Sequence, residues 1–219
     1  MTEILAVVVG SRLHGLADEY SDYDIRRVEV APLRQKLSPF TRDKPKVAEG
    51  DDVTFELAHF CKMAAQGNPT VLEVLWSSMQ VTLTPLGESL QAGRHHFLDM
   101  ERIYHAHLGY ALSDYHKLPL IEDKKKRGKK QSAILRVLMQ GASLMRTSTF
   151  DPTAYRHDDL LKNLRYGTVS DDLFEKAYQS SRNGFESAYA EATPSTINYQ
   201  WIEDFVTNAY IEDYLEGKW

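Results

Sequence analysis

The chain has one cysteine, Cys61, in 219 residues. That excludes an internal disulfide and any zinc centre built on several thiolates, and points to a reducing, cytoplasmic setting. Cys61 sits in an otherwise apolar helical pattern and reads as inert packing. No run approaches the roughly 18 apolar residues of a membrane span, and no basic stretch precedes the short apolar run at 4–9, so neither a membrane segment nor a secretory signal is expected. Basic residues are outnumbered, 26 Lys and Arg against 31 Asp and Glu for a net charge of −5, which argues against a protein that coats nucleic acid along its whole surface. The paired histidines at 95 and 96 and at 105 and 107 have neither cysteines nor an HExxH pattern beside them, so they read as surface or hydrogen-bonded side chains. There is no internal repeat, and biased composition is confined to DKKKRGKK at 123–130. What the chain does have is a hydrophobic share of 42%, ample for a packed core.

The run at 4–9 (ILAVVV) predicts a buried strand closed by Gly10. Residues 23–30 (YDIRRVEV) alternate and stop at Pro32, and 52–57 (DVTFEL) alternate with acids on one face, giving second and third strands. Between them, 31–50 is a long irregular connection rich in Pro, Lys and Arg. From 59 the period turns helical. Asn68 is placed to cap a helix with Pro69 in its first turn, and 77–85 has room for one more strand. Further helices are expected at 86–97, 100–116, 131–146, 158–166, 170–189 and 199–215. The expected class is therefore α+β: a small mixed sheet with flanking helices over 1–84, then a mostly helical part over 85–219.

The chemistry concentrates at 10–26, GSRLHGLADEYSDYDIR. Aspartates at i and i+2 of a strand project to one face with Cβ atoms roughly 6–7 Å apart, so one cation can be gripped by both. Magnesium, or manganese in its place, suits such a pair because it takes hard oxygens from one or two carboxylates and completes its shell with water and phosphate. Asp22 and Asp24 supply that pair. A third carboxylate on the neighbouring strand would complete the site. Glu56 is favoured if the third strand runs antiparallel to the second, with Asp52 as the alternative in another register. Gly10 lets backbone approach a phosphate, Ser11 adds a hydroxyl, and Gly15 keeps the loop slim. Arg12 and Arg26 would add charge. Ser21 either contacts substrate or closes a turn. Asn68 and Glu73 fit either the site or ordinary capping and helix-surface roles, and Lys129, Lys130 and Arg136 could reach back toward the phosphates or a nucleic-acid strand.

A strand ending in Gly-Ser, a spacer, then SDYDIR resembles the signature of the DNA polymerase β-like nucleotidyltransferase superfamily. Within it, EL at 56–57, NPTVLEVLW at 68–76, KKQSAILRVL at 129–138 and LLKNLRYG at 160–167 are similar to the RNA-repair-associated nucleotidyltransferases of bacteria and phages. The resemblance implies magnesium-dependent transfer of a nucleoside monophosphate from a ribo- or deoxyribonucleoside triphosphate to a hydroxyl, an RNA end among the acceptors. It assigns Gly10 and Ser11 to the nucleotide and Asp22 and Asp24 to the metal. Two other readings stay open: an inactive nucleotide- or RNA-binding module of the same fold, and an antitoxin-like enzyme that modifies a protein. Base preference and oligomeric state are not legible.

Overall fold

The computed structural model describes residues 1–40, 46–47 and 52–215; parts of the connection expected at 31–50 lie outside the described residues. Strand β1 (Thr2–Val9) is buried from Ile4 to Val9 without alternation, as a strand covered on both faces requires. β2 (Asp24–Val30) runs antiparallel to it, with Val9 opposite Asp24 and Val7 opposite Arg26. Beyond β2 lie β3 (Lys46–Val47) and β4 (Val53–Glu56), and β5 (Gln80–Leu83) pairs with the other side of β1. The sheet order is β3-β4-β2-β1-β5.

The pairing of β4 with β2 is parallel, with Arg26 opposite Val53 and Glu29 opposite Glu56. This corrects the antiparallel arrangement on which the choice of Glu56 rested. The C-terminal end of β4 lies beside the C-terminal half of β2, away from the end that begins with Asp24.

The four-residue helix α1 (Gly10–Leu13) follows β1 directly. Among its described residues, the irregular connection holds a short helix, α2 (Leu33–Leu37), ahead of β3. Behind the sheet are α3 (Leu57–Ala65) and α4 (Pro69–Trp76). Asn68 caps α4 as its sequence suggests, accepting from Thr70 N at 3.1 Å and Val71 N at 3.3 Å, with Pro69 in the first turn where no N–H is needed. α5 (Pro85–Ala92) ends earlier than expected and continues as a 3-10 turn over Gly93–Phe97. Gly93 stands at that change, with the Trp201 ring in the space a Cβ would take.

The helical part comprises α6 (Met100–Lys117), α7 (Lys124–Thr147), α8 (Asp159–Arg165), α9 (Asp171–Glu191) and α10 (Tyr199–Leu215). α7 is its axis, flanked by α6, α8 and α9. It begins at Lys124, so the basic run belongs to its first turns and not to a preceding loop. Lysines at a helix N-terminus oppose the helix dipole. Acids offset them: Asp123 caps Lys126 N at 2.6 Å, Asp114 holds Lys130 at 3.0 Å, and Asp171 pairs with Arg127 at 2.5 Å. Gly128 is required because the Leu164 carbonyl of α8 occupies its Cβ position. Hydrophobic packing is continuous across residue 84, from Val7 and Phe60 through Leu72 and Ile103 to Leu138 and Phe185. No helix among the described residues is long and apolar enough to cross a membrane.

Candidate active site

The join between β1 and α1 anchors the site. Gly10 has φ of +67°, a conformation that side-chain-bearing residues rarely adopt, and an Asp24 carboxylate oxygen occupies the place a Cβ would take. The dihedral thus demands glycine, and the acid lies directly on it. The antiparallel register brings this about by setting Val9 against Asp24.

Arg12 fastens the other acid. From α1 its guanidinium donates to the carbonyls of Ser21 and of Asp22, the latter at 3.2 Å, and it lies 3.8 Å from the centroid of the Tyr23 ring. It therefore shapes the loop that presents Asp22. Ser21 closes a turn: its hydroxyl donates to Asp18 Oδ1 at 2.7 Å and accepts from Asp18 N at 3.0 Å. That hydroxyl is the main cause holding the Asp18 carboxyl below its usual range, with Lys125 and Lys129 adding charge. The Ser11 hydroxyl has no hydrogen-bond partner among the described residues.

Asp22 is exposed and Asp24 half-buried at the same sheet edge. Of the two acids considered for third place, Asp52 lies beside the start of β2, where Oδ1 accepts from Ile25 N at 3.0 Å and Oδ2 is 3.8 Å from Arg27. Glu56 lies at the far end of β4. It is buried, caps α3 by accepting from Ala58 N at 3.1 Å, pairs with Lys36 at 2.8 Å and accepts from the Tyr210 hydroxyl. Two carboxylates with oxygen donors at a solvent-facing edge fit a hard cation such as magnesium or manganese. Among the described residues, no three or more His, Cys, Asp or Glu side chains gather as a complete cage.

Behind the turn is a buried network that joins three elements. Glu73 of α4 accepts from Gly10 N at 2.9 Å and lies 2.8 Å from His14 Nε2. Arg136 of α7 reaches His14 Nε2 at 2.6 Å and stands 3.6 Å from Glu73 Oε2. His14 Nδ1 donates to the Pro152 carbonyl at 2.7 Å, and Nε2 lies between the Glu73 carboxylate and the Arg136 guanidinium. Burial and the Arg136 charge lower the His14 pKa, with the Glu73 carboxylate opposing them. Burial alone would raise the Glu73 carboxyl, but Arg136, His14 and the Gly10 N–H outweigh it and bring it down to about 2. The Gly10 amide is therefore committed to Glu73, and Ser11 is left as the donor the turn offers.

The basic residues divide. Lys129 is exposed near Asp18, while Lys130 is paired with Asp114. Arg26 leaves the edge along β2, donating to the Ile25 carbonyl at 3.3 Å. His14 has no signature in the sequence although it stands inside the Gly-Ser segment, because a lone histidine carries no signal until Glu73 and Arg136 are brought to it.

An α+β chain whose first strand ends in a Gly-Ser turn seated against an Asp-x-Asp strand start has the arrangement the polymerase β-like resemblance implies. The family model for RlaP, the RNA repair pathway DNA polymerase beta family, matches residues 2–196, and the chain belongs to that family. No curated protein and no solved structure matches it. The family name points to an enzyme of nucleotidyltransferase type.

Proposed function

We propose that this edge transfers a nucleoside monophosphate from a nucleoside triphosphate to a hydroxyl at an RNA end. In that reaction the hydroxyl oxygen attacks the α-phosphorus, its proton departs, and the bond to pyrophosphate breaks. The observation that carries the reading is the seating of Asp24 on Gly10, which binds the phosphate turn and the metal acid into one constellation. Asp22 and Asp24 would hold magnesium or manganese, with Asp52 the nearest third acid, and the ion would neutralise phosphate charge and make the hydroxyl more acidic. Ser11 donates to the triphosphate. Glu73, ionised and buried, holds the Gly10 amide so that the turn keeps its shape. Lys125 and Lys129, exposed on α7 beside Asp18, offer a basic rim to an RNA strand in an otherwise acidic chain.

The test is incubation with each α-labelled triphosphate, magnesium or manganese, and total RNA or total protein. Label should enter RNA. The Asp22→Asn, Asp24→Asn double variant should lose turnover with little change in melting temperature, because neither carboxylate is buried. Full activity in that variant would overturn the proposal. One observation favours a second reading, a binding module without catalysis: the Asp52 carboxylate is occupied by Ile25 N and Arg27 rather than turned to the Asp22 and Asp24 pair. Under that reading triphosphate stabilises the protein without metal and no acceptor is ever labelled.

A further inference from the structure

Arg165 is the last residue of α8, and its position is set by backbone packing rather than by its own side chain. The carbonyl of Leu164 rests on Gly128 of α7, and Gly167, with φ of +70°, rests on the Lys124 carbonyl. No side chain could be accommodated at either glycine without moving α8, so residue 165 is held beside the first turns of α7. The guanidinium is half-buried, yet it makes no hydrogen bond and no ion pair among the described residues. Burial lowers its pKa, Asp18 supports the charge, Arg136 opposes it, and Asp24 supports it again.

Planar guanidinium forks of this kind are matched by phosphate and carboxylate oxygens. Asp18 does not fill the fork, being tied to Ser21 and facing Lys125 at 3.8 Å. Arg136 differs in this respect, since Glu73 already balances it.

We infer that Arg165 is a ligand of the polyphosphate of the incoming nucleotide. The inference rests on the triphosphate reading of this edge and extends it to a residue more than 140 positions from the Gly-Ser turn. An anion placed between a metal-binding acid and this guanidinium satisfies both sides: metal charge meets one set of phosphate oxygens and the fork another.

Calorimetric titration with inorganic tripolyphosphate, then with each nucleoside triphosphate, in EDTA at low salt, tests it. Wild type should bind. Arg165→Ala should weaken tripolyphosphate binding by about 10- to 100-fold, the range expected for charge-assisted hydrogen bonds. Arg165→Lys should recover part of the affinity. The melting temperature of Arg165→Ala should change little, since the side chain has no hydrogen bond or ion pair among the described residues to give up, and affinity for a short oligouridine should be unchanged. Equal tripolyphosphate binding by wild type and Arg165→Ala would overturn the inference. So would loss of oligouridine affinity alone, which would move Arg165 to the acceptor side, or absence of tripolyphosphate binding in wild type. The Asp22→Asn, Asp24→Asn variant should still bind tripolyphosphate without metal. Loss of transfer there and loss of binding at Arg165 are therefore separable failures.

Discussion

Gly10 is the residue with least freedom to change. Alanine there would face a left-handed φ, which costs about 1–2 kcal/mol, and would also push Asp24 off its seat. Gly10→Ala should lower kcat by about 100-fold, the penalty for misplacing a reacting group by about 1 Å, while the fold survives at a reduced melting temperature. Single-turnover transfer with a thermal melt on the same sample checks both parts. The Gly-Ser turn and the two aspartates are legible in the sequence because their chemistry is local: a strand end, a loop and a strand start within 17 residues. The third acid is not, since Asp52 and Glu56 share a strand face and only the direction of β4 against β2 separates them. Neither strand encodes that direction in its alternation. Arg165 is illegible for a related reason, its meaning depending on two glycines that fix where α8 ends.

At the scale of elements, α7 ties the basic run to the edge that carries Asp22 and Asp24. Lys125, Lys129, Ser132 and Arg136 are spaced by four, three and four residues and so form one stripe. Along it Lys125 meets Asp18 at 3.8 Å and Arg136 meets His14 at 2.6 Å, which places the stripe along the loop that carries the acids. Replacing Lys125 and Lys129 with Ala should leave the melting temperature almost unchanged, as exposed ion pairs contribute little. It should flatten the salt dependence of RNA binding by roughly 0.7 for each single-strand phosphate that is no longer neutralised. Fluorescence titrations over a salt series measure this, and an unchanged slope would return both lysines to ordinary solvated positions. Lys130 belongs outside the set because Asp114 already holds it. The first turns of α7 carry no helical signal in the sequence because lysines have no hydropathic period there, and the buried face is formed by Gly128, Gln131 and Ser132 rather than by leucines.

At the scale of the whole molecule, buried histidines link stability to pH. His107 is fully buried, its Nδ1 donating to the Ile103 carbonyl at 2.9 Å and its ring lying against Gly141, and burial lowers its pKa to about 4. His14 is lowered too. Between pH 6.5 and 4 the unfolded chain therefore takes up protons that the folded chain refuses, and stability falls as pH falls, for His107 by roughly 3 kcal/mol across that window. Melting temperatures should drop from pH 7 to pH 5, and His107→Leu should shallow the slope, whereas an identical slope would remove His107 from the account. The sheet, the helix order and the α+β class can be read from periodicity, but not the buried cluster that joins the two parts of the chain. Glu73 and His14 belong to the first 84 residues, while the guanidinium that balances them comes from residue 136. Severing the chain after the sheet would strand a buried carboxylate, so the edge that carries Asp22 and Asp24 is not a portable cassette. Its inheritance and its engineering are bound to the helical bundle, and neither half can be exchanged for a foreign one without replacing the charge that the other supplies.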